Sequence, residues 1–406
     1  MPVDDLWYLT KRGPDGERVK SKRHGRGKRW RVRFIDDTGA PKERLFEKKS
    51  DADRWDANVR ADVSRGQYID PVAGKATMKA YAAQWRGTRL HRDSTAELVE
   101  RAFRLHIDPI LGGWPMAQVK TSHIQSWVKN RSTELEPSTL RVVYSYLVSM
   151  FNCAVLDRVI GVSPCQANIQ LPEVDGAELV IPTAEQVHAL GEALAGPAGR
   201  RGRYEALPMV AAGTGLRQGE TWGLELEHVD FLRRKISVVQ QLKVVSGRKP
   251  FLAELKTKTS KRSVEIGQVV AEQLAQHIEA FPPVEIEIDD ETNPRKPVRR
   301  MAKLIFLNTS GDPIHRASWS HVWAPAAGKA GLPKGFGFHG LRHYFATLLI
   351  HGGASVKTVQ LALGHATPMI TLNTYVGHWP DAIDTTRTLV DAALRRPAPA
   401  LRAVGS

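Results

Sequence analysis

The sequence predicts a multidomain chain: a small β-sheet-plus-helix domain, then an all-α domain, then a mixed, mainly α domain. Three observations predict it. At 406 residues the chain is too long for one ordinary core. Period-two alternation near the N-terminus gives way to helical stripes from about residue 75. Two aperiodic stretches, YIDPVAG at 68–74 and LPEVDGAELVIP at 171–182, interrupt the pattern where linkers would. The expected domains are residues 1–70, 75–170 and 180–396, followed by a tail at 397–406 too rich in Ala and Pro to fold alone.

The elements follow in order. Residues 11–33 hold eleven Lys or Arg against two acids and run into WRVRF. There Trp30, Val32 and Phe34 share one strand face, and Arg31 and Arg33 share the other. Those arginines make either a solvated face or a DNA-contacting one. Asp37-Thr38-Gly39 offers a turn into a second strand through Arg44, Leu45 and Phe46. Ser50 with Asp53 marks a helix start, and Ala52, Trp55, Val59 and Val63 form its stripe.

Beyond the first linker, Met78, Tyr81 and Trp85 define one helix. Ser94 and Glu97 form a capping box ahead of Leu98, Ala102 and Leu105. Ile124, Trp127 and Val128 define a third helix, and Leu140, Tyr144, Leu147 and Phe151 a fourth that begins after Pro137. From Thr183 the pattern is mixed, with strands at Ile236–Val239 and Leu304–Leu307, an exposed insertion at 283–300, and helices to about 396. Ser355 caps a helix through Val356, Val359 and Leu361 that ends at Gly364. Thr367 and Pro368 open the next one.

The formal net charge of +15 and pI near 9.8 point to a polyanionic partner, most simply nucleic acid. Charge alone also admits an acidic membrane surface. Cys153 and Cys165 are too few for a disulfide scaffold or a four-cysteine zinc site, and they fit a reducing compartment. No apolar signal-peptide core is present, and no stretch is expected to approach the ~18 apolar residues of a membrane helix. A soluble intracellular protein is the expectation.

The last domain carries the chemistry. Arg217 lies in GTGLRQGE, where Glu220 helps to start a helix. Lys256 lies in LKTKTSKRSV, a basic turn between strand-like runs. In HGLRH, i,i+3 spacing puts His339 and Arg342 on one helical face. His365 and Tyr375 bracket a turn and a helix start in LGHATPMITLNTY. His339 and His343 imitate a zinc pair at i,i+4, but no glutamate lies between them and an arginine does, so no metal is expected. Two guanidinium groups can stabilise charge building on a phosphodiester. A tyrosine can serve as oxygen nucleophile once a base or positive field assists, and a lysine can protonate a leaving oxygen.

The motifs TGLRxGE, KTxxSxR, HxLRH and LGHxxxxxTxxxY, in this order, resemble those of tyrosine recombinases, specifically temperate-phage or mobile-element integrases of actinobacterial hosts. The resemblance covers roughly residues 20 to 390. It implies an arm-type DNA-binding domain, a core-binding domain and a catalytic domain. It assigns Arg217 and Arg342 to the scissile phosphate, Glu220 to support, and His365 to phosphate binding or orientation. Lys256 becomes general acid to the 5′-oxygen, with Lys258 and Lys261 as neighbours on the same turn. His339 assists proton transfer, and Tyr375 attacks to give a 3′-phosphotyrosyl link.

Bond energy is kept in that link, so no cofactor, ATP or metal is required. The implied partners are double-stranded core and arm attachment sites and, on DNA, a homotetramer passing through a Holliday junction. The resemblance leaves open an excisionase and a host DNA-bending factor, and it places the protein in bacterial cytoplasm, on the nucleoid. The alternatives are a chromosome-dimer or plasmid resolvase of the same chemistry, which normally lacks the basic first domain, a type IB topoisomerase, and a non-catalytic architectural DNA-binding protein.

Overall fold

The computed structural model describes residues 3–14, 16–35, 39–65, 68–69, 72–166, 168–174, 179–196, 201–378 and 390. The Asp37-Thr38 turn, parts of both expected linkers, the last helices before 396 and the tail lie outside them. The chain divides into two compact units, Met1–Ala177 and Glu178–Ser406.

The first unit begins with β1 (Asp4–Asp5), β2 (Tyr8–Arg12), β3 (Arg18–Lys20), β4 (Trp30–Ile35), β5 (Pro41–Phe46) and α1 (Lys49–Ser64). The predicted pair β4–β5 is antiparallel, with Trp30 opposite Phe46 and Phe34 opposite Lys42. Val32 and Phe34 point inward, and Phe34 clusters with Val59 and Tyr68 over the edge of Trp55. β1 adds a third strand, and β2–β3 form a separate hairpin.

That extra strand changes the view of the two arginines. Asp4 lies opposite Arg31 in register and pairs with both Arg31 and Arg33, at 3.0 and 2.9 Å. The charge of this face, expected to be either solvated or in contact with DNA, is thus partly balanced within the sheet. α1 starts at Lys49, one residue ahead of the expected Ser50 cap, and no side chain caps it.

The helical part comprises α2 (Met78–Gly87), α3 (Asp93–Ala102), α4 (Asp108–Leu111), α5 (Thr121–Arg131) and α6 (Pro137–Leu156). Its core joins Met78, Trp85, Phe103, Ile107, Trp127, Leu147 and Phe151. The expected stripe on α3 holds only at Ala102. Ser94 lies inside the helix rather than at its cap, Leu98 and Leu105 are exposed, and Val99, Phe103 and Ile107 go inward. The buried row runs Val99, Phe103, Ile107, one residue on from the expected Leu98, and a π-helical turn at Phe103–Ile107 carries it forward. α6 is long and apolar enough by length and composition to cross a membrane, contrary to the expectation. Ser145, Ser149 and Asn152 break its apolar run without lowering its mean hydropathy enough. In the fold it supplies Leu140, Val143, Leu147, Met150 and Phe151 to the core.

The second unit runs α7 (Ala184–Ala193), α8 (Leu207–Thr214), α9 (Gln218–Trp222), β6 (Val229–Asp230), β7 (Lys235–Val238), β8 (Gln241–Lys243), β9 (Phe251–Ala253), β10 (Arg262–Glu265), α10 (Gln268–Ala280), β11 (Ile286–Glu291), β12 (Val298–Ala302), α11 (Arg316–Lys329), α12 (His339–His351), α13 (Val356–Leu363) and α14 (Pro368–Tyr375). Trp222 packs edge-on to Trp319, which stacks on Trp323, so α9 is fixed against α11.

One expectation is refined here and one corrected. Residues 283–300 are exposed through 293–299, as expected, but form part of the domain's sheet: β11 pairs with β12 and runs parallel to β9 in a four-stranded sheet. Arg300 pins that hairpin through Asp290 and the buried Glu225. Leu304–Leu307 is fully buried yet makes only the isolated bridges Glu225–Leu304 and Leu307–Pro313, because it fills the core between helices rather than extending a ladder.

Candidate active site

α8 ends in Gly215, whose φ of +62° reverses the chain and delivers Arg217 to the cap of α9. The Glu220 carboxylate closes that turn, with the Arg217 backbone N–H donating to it at 3.0 Å. The same carboxylate receives Arg217 Nη1 at 2.7 Å and Arg262 Nη2 at 3.0 Å. Burial alone would push the Glu220 acid up. The Arg262 and Arg217 charges and hydrogen bonds outweigh that and hold it below its usual range.

A second helix end organises the rest. Ser355 caps α13, as expected, by accepting the Thr358 N–H, and Gly364 closes it at φ +65°. The last carbonyls of a helix lack intrahelical partners and carry the negative end of its dipole. Three arginines meet three successive carbonyls here. Arg262 Nε donates to Ala362 O at 2.8 Å, Arg342 Nη2 to Leu363 O at 2.6 Å, and Arg217 Nη2 to Gly364 O at 3.4 Å. Arg342 also donates through Nη1 to Gly215 O at 2.6 Å, joining the two helix ends. It is 1% exposed, and burial followed by repulsion from Arg217 lowers its pKa to about 9, which leaves it charged at neutral pH.

The histidines and the tyrosine surround this cationic centre. His365 Nδ1 lies 2.9 Å from Thr371 Oγ1, one turn before Tyr375 on α14. Burial first, then Arg342 and Arg217, depress its pKa to about 4. His339 opens α12 at the solvent-exposed mouth. Partial desolvation, His343 and the same two arginines pull it below the ordinary histidine range. Tyr375 is 1% exposed, and burial raises its phenol to about 12 against the opposing pull of Arg342. Its hydroxyl lies 2.7 Å from His343 Nδ1.

The structure thus brings Arg217, Glu220, His339, Arg342, His365 and Tyr375 together. Lys256 is exposed on the loop between β9 and β10. That loop reaches the site through Ser260, whose hydroxyl accepts from Arg217 Nη1 at 3.2 Å and pairs with Thr257 at 2.8 Å. The backbone of Thr259 and Ser260 packs on Gly364. Lys258 is exposed on the same loop. Arg31 and Arg33 belong to the other unit.

Three members of the site went unassigned in the sequence. Arg262 was visible as the last letter of KTxxSxR, and Ser260 as the serine before it. His343 was weighed only as half of a zinc pair. Its bond to Tyr375 spans 32 residues and left no local signal.

Chemically, three guanidinium groups against one carboxylate, with histidines kept neutral, leave a net positive pocket beside a phenol. Such a pocket suits an oxyanion under nucleophilic attack.

Comparison with known proteins agrees. The description "Phage integrase family" matches residues 182–380, and "Phage integrase, N-terminal SAM-like domain" matches residues 78–141. The chain belongs to the phage integrase family. It is a tyrosine site-specific recombinase, similar to the integrase of Mycobacterium phage D29 at 25% identity, covering 87% of this chain and 91% of that protein. Its fold is similar to the Tn1549 transposon integrase solved with a circular intermediate DNA, at TM-score 0.66 and 24% identity, covering 77% of this chain and 98% of that one. It is also similar to the lambda integrase tetramer bound to a Holliday junction, at TM-score 0.54 and 15% identity, covering 87% and 92%.

Proposed function

We propose that this recombinase integrates a mobile DNA element by joining its ends to a target site through a 3′-phosphotyrosyl intermediate. The observation that carries this reading is the meeting of Arg217, Arg262 and Arg342 on three successive carbonyls beside the Tyr375 hydroxyl. A guanidinium held by backbone is already oriented, so little reorganisation is needed when phosphate charge builds up.

In this mechanism Arg217 and Arg342 clamp the non-bridging oxygens, and His365, oriented by Thr371, adds a ligand. Glu220 fixes the clamp. Tyr375 Oη attacks phosphorus, the P–O5′ bond breaks, and Lys256 gives the departing oxygen its proton. His339, at the mouth, assists proton transfer at the phosphate. Attack of a new 5′-hydroxyl reverses each step and releases the tyrosine.

Double-stranded DNA is the partner, and the working form is a tetramer on two crossing sites, as in the lambda integrase assembly. The domain at 1–70 holds arm-type DNA, 75–170 grips core DNA, and 180–396 carries the chemistry. An excisionase and a host bending factor complete the set, acting on the bacterial nucleoid.

The test is recombination between two separate plasmids, one carrying the element's joined ends and the other its target, with chelator present and no nucleotide. Joined recombinant products are expected. Products confined to resolution of repeats within one plasmid would favour a resolvase, and relaxation without exchange a topoisomerase.

A further inference from the structure

We propose that His343 is the proton acceptor for Tyr375, the group that turns the buried phenol into a nucleophile. The inference rests on the reading of Tyr375 as the attacking residue and names what that reading left without a base. His339 keeps its assistance at the phosphate and does not take the tyrosine proton.

The geometry points to His343 for three reasons. Its Nδ1 lies 2.7 Å from Tyr375 Oη, inside hydrogen-bond reach, and the two rings meet edge to face at 5.6 Å. His339 sits one turn earlier on the same helix face, with its ring 4.8 Å from that of His343. Among the described contacts it makes no hydrogen bond to the tyrosine. Finally, Tyr375 is 1% exposed, so its proton cannot pass straight to bulk water and must leave through a neighbouring side chain.

The protonation states fit an acceptor. Burial, then Arg342 and His378, lower the His343 pKa to about 4, so its ring is neutral near pH 7. To take the Tyr375 proton, Nδ1 must be the bare nitrogen and Nε2 the protonated one. His339, Arg342, Tyr375 and His378 are the titratable groups around the ring.

An arriving phosphodiester brings a negative charge that offsets Arg342 and Arg217, and so makes His343 more basic just when attack begins. Oη then forms its bond to phosphorus while the O–H bond breaks and the proton passes to Nδ1. The P–O5′ electrons leave with the 5′-oxygen. On rejoining, the imidazolium returns the proton to Oη.

The experiment uses the full chain and a half-site in which the scissile bridging oxygen is sulfur, so that protonation of the leaving group no longer limits the rate. Covalent adduct formation is followed in single turnover from pH 3.5 to 9. The wild type should level off toward neutrality and slow with unit slope once the pH falls below the His343 pKa of the DNA complex. His343→Asn retains a carbonyl that can hold the phenol but cannot take its proton.

H343N should therefore bind DNA normally, react about 100- to 10,000-fold more slowly near neutrality, and lose the acid limb while gaining rate steadily with hydroxide. H339N should keep the limb. An H343N enzyme with wild-type rate and limb would make His343 a packing residue and overturn the proposal, as would loss of the limb in H339N alone.

If H343N does not fold, the imidazole nitrogen spectrum of the wild type carries the same test. His343 must show protonated Nε2 and a Nδ1 signal that moves in Tyr375→Phe. A protonated Nδ1 overturns the assignment. A Tyr375→Phe enzyme that still forms adduct would instead defeat the underlying reading of the nucleophile, which keeps the two failures apart.

Discussion

Replacing Arg217 or Arg342 with lysine keeps the charge and removes the planar fork that spans two acceptors at once. Each variant should lose about 100- to 1000-fold in single-turnover cleavage, the usual cost of one transition-state donor. Arg342→Lys should also unfold more readily, since Gly215 O or Leu363 O is left without its donor, at about 1–3 kcal/mol. Near-normal cleavage by both variants would place the clamp elsewhere. The histidines give a pH signature. His343 and His365 titrate near 4 when folded and near 6.5 when unfolded, so between those values the unfolded chain binds more protons. Their contribution to stability is complete above about pH 6.5, declines as pH falls, and is gone below about 4. The thermal midpoint should drop across that window, and less steeply in His365→Asn; an identical slope would show that His365 does not titrate there. At this scale short motifs pointed to Arg217, Arg342, His339, His365 and Tyr375, and they also contain Arg262 and His343 without marking a role for either. His343 and Arg262 escaped because their roles lie in partners 32 and 100 residues away.

The site is an arrangement of helix ends, so the elements that shape those ends should be as sensitive as the catalytic groups. Gly215 and Gly364 both hold positive φ, and a Cβ on Gly215 would lie 2.3 Å from the Phe345 ring. Gly215→Ala should cost more than the ~1 kcal/mol typical of a strained backbone alone, because the ring must also move. Gly364→Ala meets Thr259 O at 3.0 Å and should disturb the loop that carries Lys256. Denaturant midpoints and adduct rates measure both, and wild-type values for Gly215→Ala would contradict the geometry. Glu220→Ala should be worse still. It strands Arg217 and the buried Arg262 together, and removing one partner from a buried pair commonly costs about 3–5 kcal/mol. Elements with local signals were legible: β4, β5, α1, α6, the Ser355 cap and the Gly364 stop. The π turn at Phe103–Ile107 was not, since apolar spacing cannot register an extra residue in one turn. The β11–β12 hairpin was hidden by its charges, which pair across strands, Arg299 with Asp289 and Arg300 with Asp290.

For the whole molecule, a net charge of +15 sets the scale of DNA binding. Arg31 and Arg33 share Asp4, whereas Lys11, Arg12, Lys20, Lys22 and Arg23 on and beside the β2–β3 hairpin are exposed. Deleting residues 1–70 should therefore spare cleavage of a core half-site, flatten the salt dependence of binding, and impair integration by removing a second DNA attachment. Equal salt slopes with unimpaired integration would deny the segment a DNA role. The order of sheet, helices and mixed unit was legible from alternation and spacing, as was a nucleic-acid partner from charge. The balance of charge within the N-terminal sheet was not, because β1 is two residues long and carries no alternation. All of this hangs on one covalent bond. A core half-site with a nick near the scissile phosphate loses its 5′ fragment on cleavage and traps the enzyme on the DNA. Peptide mass spectrometry of the trapped protein should find the nucleotide 3′-phosphate on Tyr375 and no trapped species in Tyr375→Phe. A DNA adduct on any other residue, or one that survives Tyr375→Phe, would contradict the account.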